Sequence, residues 1–170
     1  MRHRMHFVFA VIAACALLSS CIGNGNPDEE ITDPSRSYTE FTDLQEDEDG
    51  TVTILTGDID RTAKYYNYSA DGVQIQIVAI CDDHGEAHIA FNTCQSCSPS
   101  PKAYYRQNGN VLQCVNCGFT FEAENVGIMK GGCNPWPIDG VSYGEGKITI
   151  PVSSLKAMKS AFASWAGPIE

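Results

Sequence analysis

Residues 94–118 read CQSCSPSPKAYYRQNGNVLQCVNCG, and the same segment closes with GGCNP at 131–135. Two Cys-x-x-Cys pairs, Cys94/Cys97 and Cys114/Cys117, flank a short stretch that reads as a β-hairpin, and a fifth cysteine, Cys133, follows. A Cys-x-x-Cys turn can aim both sulfurs at one point, so one pair supplies half of a tetrahedral site. Two pairs held face to face supply four thiolates, the donor set of structural zinc and of iron–sulfur centres. The intervening sequence offers the device that brings them together. Tyr104 to Gln107 lead into Asn108-Gly109, and Val111 to Gln113 lead out. Asn-Gly between apolar runs is a strong signal for a tight hairpin, which would carry the second pair back to the first. Gly118, directly after Cys117, fits a tight knuckle where the backbone passes close to sulfur. The same spacing is also compatible with a disulfide or dithiol scaffold, common in exported chains.

Outward toward the N-terminus, the chain changes character twice. Arg2, His3 and Arg4 precede a short apolar run from Phe7 to Leu18, too short to span a bilayer. Leu18-Ser19-Ser20-Cys21 then fits a bacterial lipobox, so residues 1–20 are expected to be a lipoprotein signal peptide and Cys21 the lipidated N-terminus. Several acyl chains anchor stably where one is marginal. The alternative is an ordinary secretory signal ending near a cysteine. Residues 21–50 follow as an acidic tether, with ten carboxylates against the single base Arg36. Such a segment buries too little apolar surface to offset its ordering entropy.

Residues 51–170 form one folded domain with a modest core. Its reading is mainly β (α+β): a small antiparallel sheet with hairpins, the cysteine-rich knuckle region and one C-terminal helix. Strands are expected at 51–56, 63–69, 73–81, 86–91 and 147–152, and one helical turn at 123–126. Val73, Ile75 and Ile77 alternate with Gln74 and Gln76. Phe119 and Phe121 alternate in a way that places both under the site. Leu155, Met158, Phe162 and Trp165 recur at helical spacing, with Ser153 as N-cap and Gly167-Pro168 as the stop.

The chain carries a net charge of −10, and no basic patch argues for nucleic acid. It has no phosphate-binding glycine loop, no G-x-S-x-G and no H-E-x-x-H. Neither Cys-x-x-Cys is followed by His, which excludes the c-type haem signature. Cys81 reads as a small buried apolar residue, with a disulfide to Cys133 as the alternative. His84 is expected in an exposed turn. His88 is a weak candidate ligand on a strand leading to the site.

The segments AKYYNYSADGV (63–73), AFNTCQSC (90–97), YYRQNGNVLQCVNCGFTF (104–121), GGCNPWPI (131–138) and ITIPVSSL (148–155) resemble, in the same order, the FtrD-like membrane iron–sulfur family. The resemblance implies an iron–sulfur or other metal centre on Cys94, Cys97, Cys114, Cys117 and Cys133. It also implies a place beside a ferrous-iron permease or another redox membrane protein, with electrons passing between them. Two departures stand out. Members of the family carry membrane helices where this chain carries a lipidation signal, and many have Asp at the position of Asn92.

Three function classes follow. The first is a lipid-anchored metal or iron–sulfur protein of the cell envelope that transfers electrons and is not itself an enzyme. The second is a structural zinc or disulfide-stabilised module whose work lies in a protein surface, with Trp136 a candidate contact. The third, a thiol–disulfide oxidoreductase, is disfavoured because such a Cys-x-x-Cys opens a helix of a βαβ unit, and the flanks here read as strand and hairpin.

Overall fold

The structure, a computed structural model, describes residues 41–167. The expected signal peptide, Cys21 and residues 22–40 of the tether lie outside the described residues. The fold is mostly β. In chain order the strands are β1 (Phe41–Asp43), β2 (Thr51–Leu55), β3 (Lys64–Ala70), β4 (Val73–Cys81), β5 (Ala87–Cys94), β6 (Tyr105–Asn108), β7 (Val111–Cys114), β8 (Thr120–Glu122), β9 (Pro135–Trp136), β10 (Ser142–Gly144) and β11 (Lys147–Pro151). Two short helices follow, α1 (Val152–Ala157) and α2 (Lys159–Phe162). Among the described residues the strands form three sheets, ordered β1-β3-β4-β5-β9, β10-β11-β2 and β6-β7-β8.

The five-stranded sheet separates two cores. Successive side chains of a strand point to opposite faces. In β4, Ile75, Ile77, Ala79 and Cys81 therefore join one core, while Val78 and Ile80 join the other. This is why the sequence alternates only at the start of β4 and then turns continuously apolar: its second half is buried on both faces. The larger core takes Val52, Ile54, Ile148 and Ile150 from the second sheet, Leu155 and Phe162 from the helices and Met158 from the break between them. The smaller core holds Cys94, Ala103, Tyr105, Leu112, Cys114 and Val126. The metal-ligand candidates thus sit on the face of the main sheet opposite the helices.

Four expectations need correction. Residues 41–50, read as tether, belong to the fold: β1 pairs parallel with β3, Phe41 opposite Tyr65, and Leu44 is buried in the larger core. The acidic composition concealed this because only Leu44 of the stretch is buried. The C-terminal helix is interrupted at Met158, whose φ −89° and ψ 2° separate α1 from α2. Its N-cap residue is Pro151, without a side-chain cap bond, and the neighbouring Ser154 hydroxyl donates to the Asp139 carbonyl, 2.7 Å away. The apolar stripe still works as read, with Phe162 edge-on to both Phe91 and Trp165. Phe119 is exposed, and only Phe121 packs at the site, edge-on to Tyr105. Finally, Cys81 is disulfide-bonded. Cys133 is a free thiol, so these two are not joined.

Candidate metal centre

The hairpin forms as the sequence indicates, with a shift of one residue at its tip. Asn108 pairs with Val111, so the two loop residues are Gly109 and Asn110. Gly109 has φ 60°, and a glycine at the first loop position is the requirement of a type II′ turn. Tyr105 pairs with Cys114 at the open end, which sets the second knuckle level with the start of the hairpin. β7 pairs in turn with β8.

The first knuckle leaves β5 through an irregularity. Pairing of β5 with β9 slips between Phe91 and Cys94; such bulges bend a strand and re-aim the side chain that follows. Cys94 then opens a turn in which the Ser98 amide donates to the Cys94 carbonyl at 2.9 Å. The second knuckle repeats this: the Gly118 amide donates to the Cys114 carbonyl at 2.8 Å. Gly118 has φ 76°, and a Cβ there would meet nothing within 4 Å. Glycine is therefore needed for the left-handed backbone conformation rather than for clearance.

The sulfurs of Cys94, Cys97, Cys114 and Cys117 all lie within 4.8 Å of one another. Across the two knuckles, Cys97 and Cys114 are 3.9 Å apart. Cys94 and Cys114 are buried, Cys97 is half-buried and Cys117 is exposed, so the group sits at the rim of the smaller core with one open side. Backbone amides converge on it: those of Cys117 and Asn116 reach the Cys114 sulfur, and that of Phe119 reaches Cys117. Four thiols at this separation cannot all ionise without a cation. Their protons divide unequally: the hydrogen bond from Cys114 holds Cys94 down at about 4, whereas burial pushes Cys97 up to about 11. The Cys114 thiol is pushed up, first by its bond to Cys94 and then by burial.

Cys133 is not one of the four. It is half-buried and interacts with Cys117, which raises its pKa. The Tyr105 hydroxyl donates to the Cys133 carbonyl, and Gln95 ties down the same loop, donating to the carbonyls of Met129 and Pro135 and accepting from the Gly131 amide. Sequence reasoning missed these holding residues. Of the buried amide chain behind the site it singled out only Asn92, as a departure from the family pattern, and missed the rest. Asn92 donates to Gln76 at 2.7 Å and accepts from the Tyr105 amide at 2.8 Å. Gln76 in turn donates to Asn67. Gln107 accepts from the Ala63 amide and donates to the Arg61 carbonyl. The one available signal was a set of amide side chains standing in strands that are otherwise apolar.

His88 is not with the thiols. It lies toward the far end of β5, its Nε2 3.0 Å from Asp82 Oδ2. Glu86 completes a carboxylate–imidazole group there. Asp82 Oδ1 accepts from the amides of His84 and Glu86, so this cluster clamps the β4–β5 turn. His84 is exposed, as expected.

Two cysteine knuckles facing each other across a hairpin, at the edge of a two-core β domain, define a small β protein with a tetrathiolate pocket that can bind a metal. The chain belongs to the family described as membrane iron-sulfur containing protein FtrD-like, whose model matches residues 59–162. No curated protein and no solved structure matches the chain. No helix among the described residues is long and apolar enough to cross a membrane. The donor type agrees with the family's description, since iron–sulfur centres are held by cysteine thiolates, and four cysteine sulfurs lie here within 4.8 Å of one another.

Proposed function

We propose that this protein is a lipid-anchored metalloprotein facing outside the cytoplasm, in which Cys94, Cys97, Cys114 and Cys117 hold a redox-active iron centre. It serves as a one-electron accessory of a ferrous-iron uptake system, beside a permease or a redox-active membrane partner. The observation that carries this reading is the convergence of four thiol sulfurs within 4.8 Å in a member of a family described as iron–sulfur containing. When bound, thiolate-ligated iron gains or loses one electron with its ligands unchanged. The chain supplies backbone amides aimed at the sulfurs, a buried side that excludes water, and an exposed Cys117 edge through which a partner can approach. The lipobox at Cys21 supports anchoring.

The test is a visible spectrum and redox titration of the full chain, extracted and purified without oxygen from iron-supplied cells. The expected result is visible absorption that changes reversibly on one-electron reduction, together with a diacylglyceryl mass on an N-terminal peptide beginning at Cys21. A colourless protein holding zinc would remove the electron-transfer reading. It would favour the alternative of a structural zinc module, for which the same four-sulfur pocket is suited.

A further inference from the structure

We propose that the pocket holds a single tetrahedral iron ion, without inorganic sulfide, and that Cys133 is not among its ligands. This rests on the reading of Cys94, Cys97, Cys114 and Cys117 as an iron site and concerns how many metal atoms they bind.

Four thiolates on one ion at metal–sulfur distances of about 2.3 Å stand about 3.8 Å from one another in a tetrahedron. Cys97 and Cys114 belong to different knuckles, yet their sulfurs are 3.9 Å apart, and no pair within the four exceeds 4.8 Å. A rhombic two-iron cluster divides its four thiolates between two irons bridged by sulfide. A four-iron cube gives each thiolate its own iron at a separate corner. Either core occupies the space between the sulfurs and spreads some of them well beyond the separation set by one shared ion. The separations here match one shared ion and fall short of those either core requires.

The backbone supports the same conclusion. The two knuckles repeat one turn, Ser98 N–H to Cys94 carbonyl and Gly118 N–H to Cys114 carbonyl. Each presents its pair of sulfurs to the other in the manner of two halves of a tetrahedron. One such ion is saturated by four sulfurs, and Cys133, whose sulfur falls outside the group of four, is left over. Its carbonyl, not its sulfur, is what the Tyr105 hydroxyl holds.

Assembly chemistry separates the alternatives, because a cluster needs sulfide and a single ion does not. The full-length chain, stripped of metal and kept reduced, is loaded anaerobically with ferrous iron alone and, in parallel, with ferrous iron plus sulfide. Bound iron, acid-labile sulfide and X-ray absorption at the iron edge are then measured. One iron per chain in both arms, about four sulfur neighbours near 2.3 Å and no iron–iron scattering are expected. Cys133→Ser should bind as the parent does, and Cys114→Ser should lose the iron while keeping the far-ultraviolet dichroism of the sheet. Iron retained only with sulfide, at two or four per chain, would overturn the single-ion proposal while leaving the iron-site reading intact. Failure to bind iron in either arm would overturn both, and loss of iron in Cys133→Ser would overturn the ligand assignment.

Discussion

Asn92 shows how much of this site depends on single residues outside the ligand set. It is fully buried and joins the main sheet to the hairpin, donating to Gln76 and accepting from the Tyr105 amide. Asn92→Ala strands a buried acceptor and a buried donor. Each costs about 1–3 kcal/mol, so the expected loss is about 2–6 kcal/mol in chemical denaturation, with the hairpin loosened. A change below the lower figure would mean that water replaces the side chain and that the amide chain is not what positions Tyr105. Asp82 controls the other end of β5. Burial opposes its charge, but the amides of Glu86 and His84 and the His88 ring outweigh this and hold the carboxyl below its ordinary value of 3.8. A depressed carboxyl contributes stability that is complete above the unfolded-state value and is lost as pH falls through the folded-state value. Asp82→Ala should therefore cost about 1–2 kcal/mol near neutrality, and the difference from the parent should shrink below about pH 3.8. A stability difference unchanged from pH 7 to pH 3 would refute this.

At the scale of elements, the end of β5, the knuckle turn that follows it and the loop returning to β9 deliver three of the five cysteines to one place. In that loop Gly127 has φ 75°, and an added Cβ would collide with the Ile89 carbonyl oxygen. Both the backbone conformation and the space forbid a side chain, and the colliding atom is backbone, which cannot swing away. Gly127→Ala is expected to cost about 3 kcal/mol or more, read as a drop in melting temperature. It should also disturb the Cys133 loop more than the knuckles, which heteronuclear NMR shifts would show. Gly118→Ala makes an informative comparison because nothing crowds that position, so its penalty is conformational alone. If the two variants lost equal stability, the collision at Ile89 would not be the deciding term.

For the whole molecule, the two cores differ in what sustains them. The larger one is made of aliphatic and aromatic side chains from two sheets and two helices. The smaller one includes Cys94 and Cys114, with Cys97 packed against it, and so part of its lining consists of the proposed metal ligands. Binding free energy at such a site adds to folding free energy. Removing the metal with a chelator should lower the melting temperature. It should also speed amide hydrogen exchange in β6, β7 and β8 while β3 and β4 stay protected. Uniform loss of protection across both regions would show that the domain unfolds as one unit and that the metal secures all of it.

Local chemistry was legible in the chain itself. The spacing of Cys94, Cys97, Cys114 and Cys117, the glycine-containing hairpin tip and the glycine after Cys117 are short-range features. Knuckles and tight turns are set by adjacent φ values and small side chains. The strands at 73–81 and 147–151 and the helical stripe could be read for the same reason, since period and burial are encoded along a few neighbouring residues. What only the tertiary structure decided was long-range. The parallel pairing of β1 with β3 brings an acidic stretch into the fold through a backbone ladder that composition does not reveal. The break at Met158, the exposure of Phe119 and the place of Cys133 beside Cys117 but outside the group of four depend on which surfaces meet. The separation of the sulfurs across the knuckles, 3.9 Å between Cys97 and Cys114, is likewise fixed by the sheet, the bulge before Cys94 and the hairpin together. Spacing in the sequence names the candidate ligand atoms, but only packing sets the distances between them and separates Cys133 from the other four.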